Sequence, residues 1–98
     1  MTGSDLRRRV HFAALAVALS ARSGQLEASD VEATANLARR LLPEDCRTRA
    51  QVEQFATRYA ECRRQPAAVV ELGGELLDAL ERLARTDPPG MERADIHG

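Results

Sequence analysis

The side chains that could do chemistry are few in this sequence, and they are scattered. His11 and His97 stand near opposite ends, and no serine, histidine and acid cluster in a way that would build an activated nucleophile. Cys46 and Cys62 lie sixteen positions apart, with no Cys-x-x-Cys and no nearby histidine pair, which is not a zinc spacing. They read as buried free thiols of a reducing compartment, with a disulfide between two helices as the alternative. Gly73-Gly74 lacks the strand before it and the lysine after it that a phosphate loop needs. Nothing converges on a reaction centre, so the sequence predicts a non-catalytic chain with no cofactor and no metal.

Charge is the remaining chemistry. Glu71, Glu75 and Asp78 recur at i, i+4 and i+7, which puts three carboxylates on one side of a helix. A basic partner or a divalent cation is one use for them, and a solvated outer face is the plainer one. Arg7-Arg8-Arg9 has three readings: a contact for an acidic partner, a solvated helix end, or the charged start of an export signal. In the export reading, Val10 to Leu19 is the apolar region and Ala18-x-Ser20 the cleavage site. His11 interrupts that run, which is short and alanine-rich. All 14 basic residues are arginine, yet 15 acids leave a net charge of −1. That balance argues against a nucleic-acid footprint, which calls for a clearly basic domain. Arg39-Arg40 and Arg63-Arg64 each close a predicted helix, where cations complement the helix dipole.

The elements that must position these groups are helical throughout. Ninety-eight residues make one domain with a modest core, and 44% of them are apolar. Only Phe12, Phe55 and Tyr59 are aromatic, so the core must be leucine, valine and alanine with helices packed closely. Alanine, leucine, arginine and glutamate dominate, all strong helix formers. The first helix is expected from Ser4 or Asp5, with Ser4 as cap, to about Arg22, and Ser23-Gly24 ends it. Leu6, Val10, Ala13, Ala14 and Val17 form one stripe on it, and Phe12, Leu15 and Leu19 a second. Two stripes predict a central helix, apolar nearly all round beyond Val10.

Ser29-Asp30-Val31-Glu32 has the pattern of a capping box and opens a second helix to Leu42, with Val31, Ala35, Ala38 and Leu42 facing inward. Pro43 stops it. A third helix begins between Glu44 and Thr48 and ends near Arg64, its inner face Val52, Phe55, Ala56, Tyr59 and Cys62. Pro66 is well placed as the first residue of a fourth helix reaching Arg85. Val69, Leu72, Leu76, Leu80 and Leu83 keep helical register straight through Gly73-Gly74, so the glycines predict close helix approach, not a kink. The expected architecture is all-α: a compact bundle of four main helices with short turns. Residues 1–86 form the single domain and 87–98 a C-terminal tail, with Pro88-Pro89-Gly90 as a turn. No stretch approaches the ~18–20 apolar residues of a membrane span, and the expected location is cytoplasmic.

Helix, Gly24 turn, apolar Leu26 and a second helix outline an EF-hand-like corner. With Gly24 at the sixth place of a calcium loop, however, Leu19 and Ala21 would fall at ligand positions one and three, and neither can bind calcium. The same stretch resembles the signature of the tellurite-resistance TerB-like family. Ala14-Leu15-Ala16-Val17-Ala18-Leu19 leads into Ser23-Gly24-Gln25-Leu26, and Asp30 or Glu32 matches the family's glutamate. A fainter echo runs from Leu77 to Asp87, followed by Gly90 and Glu92. Ser23 stands where the family has aspartate, Pro88-Pro89 interrupts the second turn, and the family domain is longer. The resemblance implies an all-helical stress-response or scaffolding module.

The functional expectation is a protein–protein interaction or scaffolding module that meets a foreign protein or a second copy of itself. Its candidate contacts are Gly73, Gly74, Glu71, Glu75, Asp78, Arg7, Arg8 and Arg9. The alternatives are a small nucleic-acid-binding regulator using the arginine cluster, and a divalent-metal binder using the acidic line.

Overall fold

The computed structural model describes residues 3–86, with side chains from Asp5 onward. They form four helices, α1 (Gly3–Arg22), α2 (Ala28–Leu41), α3 (Arg47–Cys62) and α4 (Pro66–Thr86). No strand occurs among the described residues, and the expected all-α bundle with short turns is what the chain forms. The expected tail 87–98, with His97, lies outside the described residues, as does the second turn of the family-like signature.

Each helix ends for a local reason. At the close of α1, the Gln25 amide donates to the Ser20 carbonyl at 2.9 Å and the Gly24 amide to the Ala21 carbonyl at 3.1 Å. This double closure requires a left-handed residue, and Gly24 supplies it at φ +76°. At the close of α2, Leu42 is extended, as the residue before Pro43 must be, and its amide still reaches the Ala38 carbonyl at 2.9 Å. Pro66 opens α4, where its missing N–H costs nothing.

Two local expectations are corrected. α1 begins at Gly3, so Ser4 lies inside the helix and does not precede it as a cap. The capping box at Ser29 does not form either. Glu27 is the N-cap of α2, without a side-chain capping bond, and Ser29 falls within the first turn. Burial decides this: Leu26 and Ala28 both pack against the core, and Leu26 and Val31 occupy the two positions of a hydrophobic staple.

The helices pack as a ring in chain order. α1 touches α2, α2 touches α3, α3 touches α4, and α4 closes most extensively onto α1. The α1–α3 diagonal is in contact and the α2–α4 diagonal is not. Ala14 and Val17, Val31 and Thr34, Val52 and Phe55, and Leu76 bring all four helices together at one point in the interior. Val10, Ala18, Ala21, Ala35, Ala38, Leu42, Tyr59, Val69, Leu72 and Leu80 extend that core. Ala56 and Cys62, expected inside, are half-buried, and both cysteines are free thiols.

The α1–α4 seam is the tightest contact. A Cβ placed on Gly73 would stand 2.7 Å from the Ala21 Cβ, 2.9 Å from the Ala18 carbonyl oxygen and 3.0 Å from the Arg22 nitrogen. Three residues further along α4, Leu76 meets Ala14 and Val17, so the two helices run antiparallel. The close approach read from the glycine pair therefore belongs to Gly73, and what approaches is α1 of the same chain.

α1 is not the central, all-round buried helix that its two apolar stripes suggested. It contacts all three other helices, yet Phe12 is 59% exposed and Leu19 54%. Four helices leave one side of each open to water, and the second stripe of α1 lies on that open side.

Candidate interaction surface

On the open side of α1, Phe12, Leu15, Ala16 and Leu19 follow one another at helical spacing. Phe12, Ala16 and Leu19 are exposed and Leu15 is half-buried. The antiparallel seam carries α4 alongside, with exposed Val70 and half-buried Gly74 and Leu77 on its flank. A Cβ on Gly74 would meet nothing within 4 Å, in contrast to its neighbour. Gly74 thus leaves open space on the flank of α4 that also carries Val70 and Leu77. Sequence reasoning identified the α1 stripe but placed it inside; its exposure was not foreseen.

Charge is distributed unevenly around it. Arg8 and Arg9 are exposed and Arg7 is half-buried, so the triplet turns around the helix and does not form one cationic face. With Arg22, the exposed charge on α1 is mainly positive. Glu71, Glu75, Asp78 and Glu81 are exposed on α4. Arg58 of α3 donates to the Glu75 carboxylate at 2.6 Å, which takes Glu75 out of the acidic line. Glu71, Asp78 and Glu81 make no ion pair among the described residues. Among those residues no three His, Cys, Asp or Glu side chains are placed to hold a metal ion together.

Grooves run between neighbouring helices as well. Between α3 and α4, a groove of about 360 Å³ has Phe55, Leu72, Leu76 and Ala79 as its floor and Gln51, Gln54, Arg58, Glu75, Asp78 and Arg82 around it. Between α2 and α3, a groove of about 520 Å³ is lined by Val31, Ala35, Ala56, Tyr59 and Ala60, with Glu32, Asn36, Arg39 and Arg63 at its rim. The second was missed from the sequence. Its signal was the run of alanines Ala28, Ala35, Ala56 and Ala60 on facing helices, too small to fill the space between them.

The remaining polar groups are structural. Arg49 donates through Nε to Glu53 one turn on and through Nη1 to the Leu42 carbonyl at 3.0 Å, satisfying an open carbonyl at the end of α2. Arg39 of α2 stands 3.7 Å from the same Glu53. The hydrogen bond from Arg49, aided by the charge of Arg39, holds the Glu53 carboxyl below the usual carboxylate range. His11 is buried, its ring 5.8 Å from that of Phe12 and edge-on to it. Desolvation lowers its pKa, and its Nδ1 has no hydrogen-bond partner among the described residues. It is a buried imidazole on α1.

No helix among the described residues is long and apolar enough to cross a membrane. Comparison with protein families, with curated proteins and with solved structures returns no match to this chain.

Proposed function

We propose that this chain is a non-catalytic helical interaction module, a scaffold that acts by association. The observation that carries this reading is the open side of α1, where Phe12 and Leu19 stand more than half exposed on one line. A helix that served only its own core would turn polar side chains to water at those positions, and a contiguous apolar surface marks a contact. The turn Ser23-Gly24-Gln25-Leu26 and the alanine-rich helix before it add the TerB-like resemblance. On that likeness the module belongs to a stress response and works in the cytoplasm.

Phe12→Asp/Leu19→Asp tests the reading, since both side chains are solvent-facing and the bundle tolerates the change. Wild type and variant are compared in pull-downs from a soluble extract, scored for foreign proteins and for untagged copies of the chain. Loss of a partner in the variant, with its helical content intact, is the expected result. Equal capture by both forms removes the face from function and sinks the proposal.

A further inference from the structure

We infer that the groove between α2 and α3 binds a small amphipathic carboxylate, with an extended acyl chain along its floor and the head group at Tyr59 and Arg63. This goes beyond the interaction-module reading and stands independently of it, because the groove is built by α2 and α3 and the exposed apolar face by α1 and α4.

Shape sets the first condition. Along α2 the lining runs from Ala28 to Arg39, about 16 Å at 1.5 Å per residue. A volume of about 520 Å³ spread over that length leaves a cross-section of about 30 Å². One extended chain lies lengthwise in such a slot, whereas a helix, about 10–12 Å across with its side chains, does not enter it. Val31 and Ala35 on one wall and Ala56 and Ala60 on the other offer that chain apolar atoms only.

Tyr59 sets the second. It lines the groove and is only 8% exposed, yet its hydroxyl makes no hydrogen bond among the described residues. A buried tyrosine hydroxyl usually has a partner, and this one is placed to donate to an oxygen inside the groove.

Charge sets the third. Arg63, one turn beyond Tyr59 on α3, is exposed at the rim and makes no ion pair among the described residues. Arg39 brings a second guanidinium at the far end, and Glu53, 3.7 Å from it, is already held by Arg49. Against these two cations the lining residues include one carboxylate, Glu32. The surplus is positive, and the Tyr59 hydroxyl and the Arg63 guanidinium are donors that suit the two oxygens of a carboxylate.

Decanoate is the probe, titrated into the full chain by calorimetry below its micelle concentration and followed in nitrogen–proton correlation spectra. Saturable one-to-one binding is expected, with amide shifts centred on Ala35, Ala56 and Ala60. Ala60→Leu fills the groove from an exposed position and is expected to abolish binding. Arg63→Glu is expected to weaken it about tenfold or more, the worth of a charge-assisted hydrogen bond. Tyr59→Phe keeps the ring and is expected to weaken it severalfold, and Glu32→Gln to tighten it. Phe12→Asp/Leu19→Asp is expected to bind decanoate as wild type does, so this site and the interaction face stand or fall separately. Circular dichroism checks that each variant keeps its helical content. A wild type without saturable binding overturns the inference, as do shifts centred on Phe12 and Leu19. Equal affinity for decyltrimethylammonium, or affinity unchanged by Ala60→Leu or by Arg63→Glu, overturns it as well.

Discussion

Gly73 and Gly74 are adjacent and chemically identical, yet replacing each by alanine should shift stability in opposite directions. At Gly73 the new methyl would fall 2.7 Å from the Ala21 Cβ, 2.9 Å from the Ala18 carbonyl oxygen and 3.0 Å from the Arg22 nitrogen. Two of these are backbone atoms and the third is a Cβ, so no flexible side chain can swing away and the helices must separate. Overpacking of this kind costs about 1–3 kcal/mol. Removing a glycine from a helix interior returns about 0.5–1 kcal/mol. The net loss for Gly73→Ala is therefore centred on about 1 kcal/mol and reaches about 2.5 kcal/mol at most, to be set against a domain stability of about 5–15 kcal/mol. At about 4–8 °C per kcal/mol for a domain of this size, a loss of about 1 kcal/mol lowers the Tm by about 4–8 °C. Gly74→Ala meets nothing within 4 Å and keeps only the helix term, so its Tm should rise by about 2–8 °C. Thermal and urea unfolding followed by circular dichroism would measure both, at dilutions where association makes no contribution. A Gly73→Ala variant as stable as wild type, or two variants shifted in the same direction, would refute the close α1–α4 approach.

Two further outcomes test individual residues. Ser29→Ala should leave urea stability unchanged to within about 0.5 kcal/mol, because Ser29 sits inside the first turn of α2 and Glu27 is the cap; a loss of about 1 kcal/mol would restore the capping box. Burial lowers the folded-state pKa of His11 below its value in the unfolded chain, so the unfolded state binds its proton first as pH falls. Stability should be full above the unfolded-state pKa of about 6.5 and decline as pH drops below it, and His11→Gln should flatten that part of the pH–stability curve while Glu53 continues to act at lower pH.

Much of the fold was legible because its signals are local. Gly24 and Pro66 act through backbone geometry that depends on little beyond the neighbouring residues, and each terminates or opens a helix as its chemistry requires. The inner faces of α2 and α4 follow from spacing alone, since Val31, Ala35 and Ala38, and Val69, Leu72, Leu76 and Leu80, are all buried. Ser29 misled because a capping pattern states a preference worth about 1 kcal/mol, and burial of Leu26 and Ala28 competes with it successfully. Phe12 and Leu19 misled because periodicity identifies a stripe without telling which neighbour covers it. Thr34 and Thr48 are buried although their type suggests the surface, and only tertiary packing decides that. The clamp of Arg39, Glu53 and Arg49 joins residues from two helices, and the distances between them exist only once the bundle has formed. Of the eight candidate contacts, Gly73 is spent inside the chain and Glu75 on Arg58, while Arg8, Arg9, Glu71 and Asp78 are exposed and Arg7 and Gly74 half-buried.

Tyr59 is the only tyrosine in a chain without tryptophan, and it sits in the wall of the groove between α2 and α3. Its ring stacks on Phe55 at 6.2 Å, which in turn forms part of the floor between α3 and α4. The protein's near-ultraviolet emission therefore comes from a single, located chromophore, undiluted by energy transfer to an indole. Anything that enters the α2–α3 groove comes against the wall that holds that one ring, where quenching of its emission would report it. The bundle carries an optical gauge of that groove, readable in the unlabelled wild-type chain.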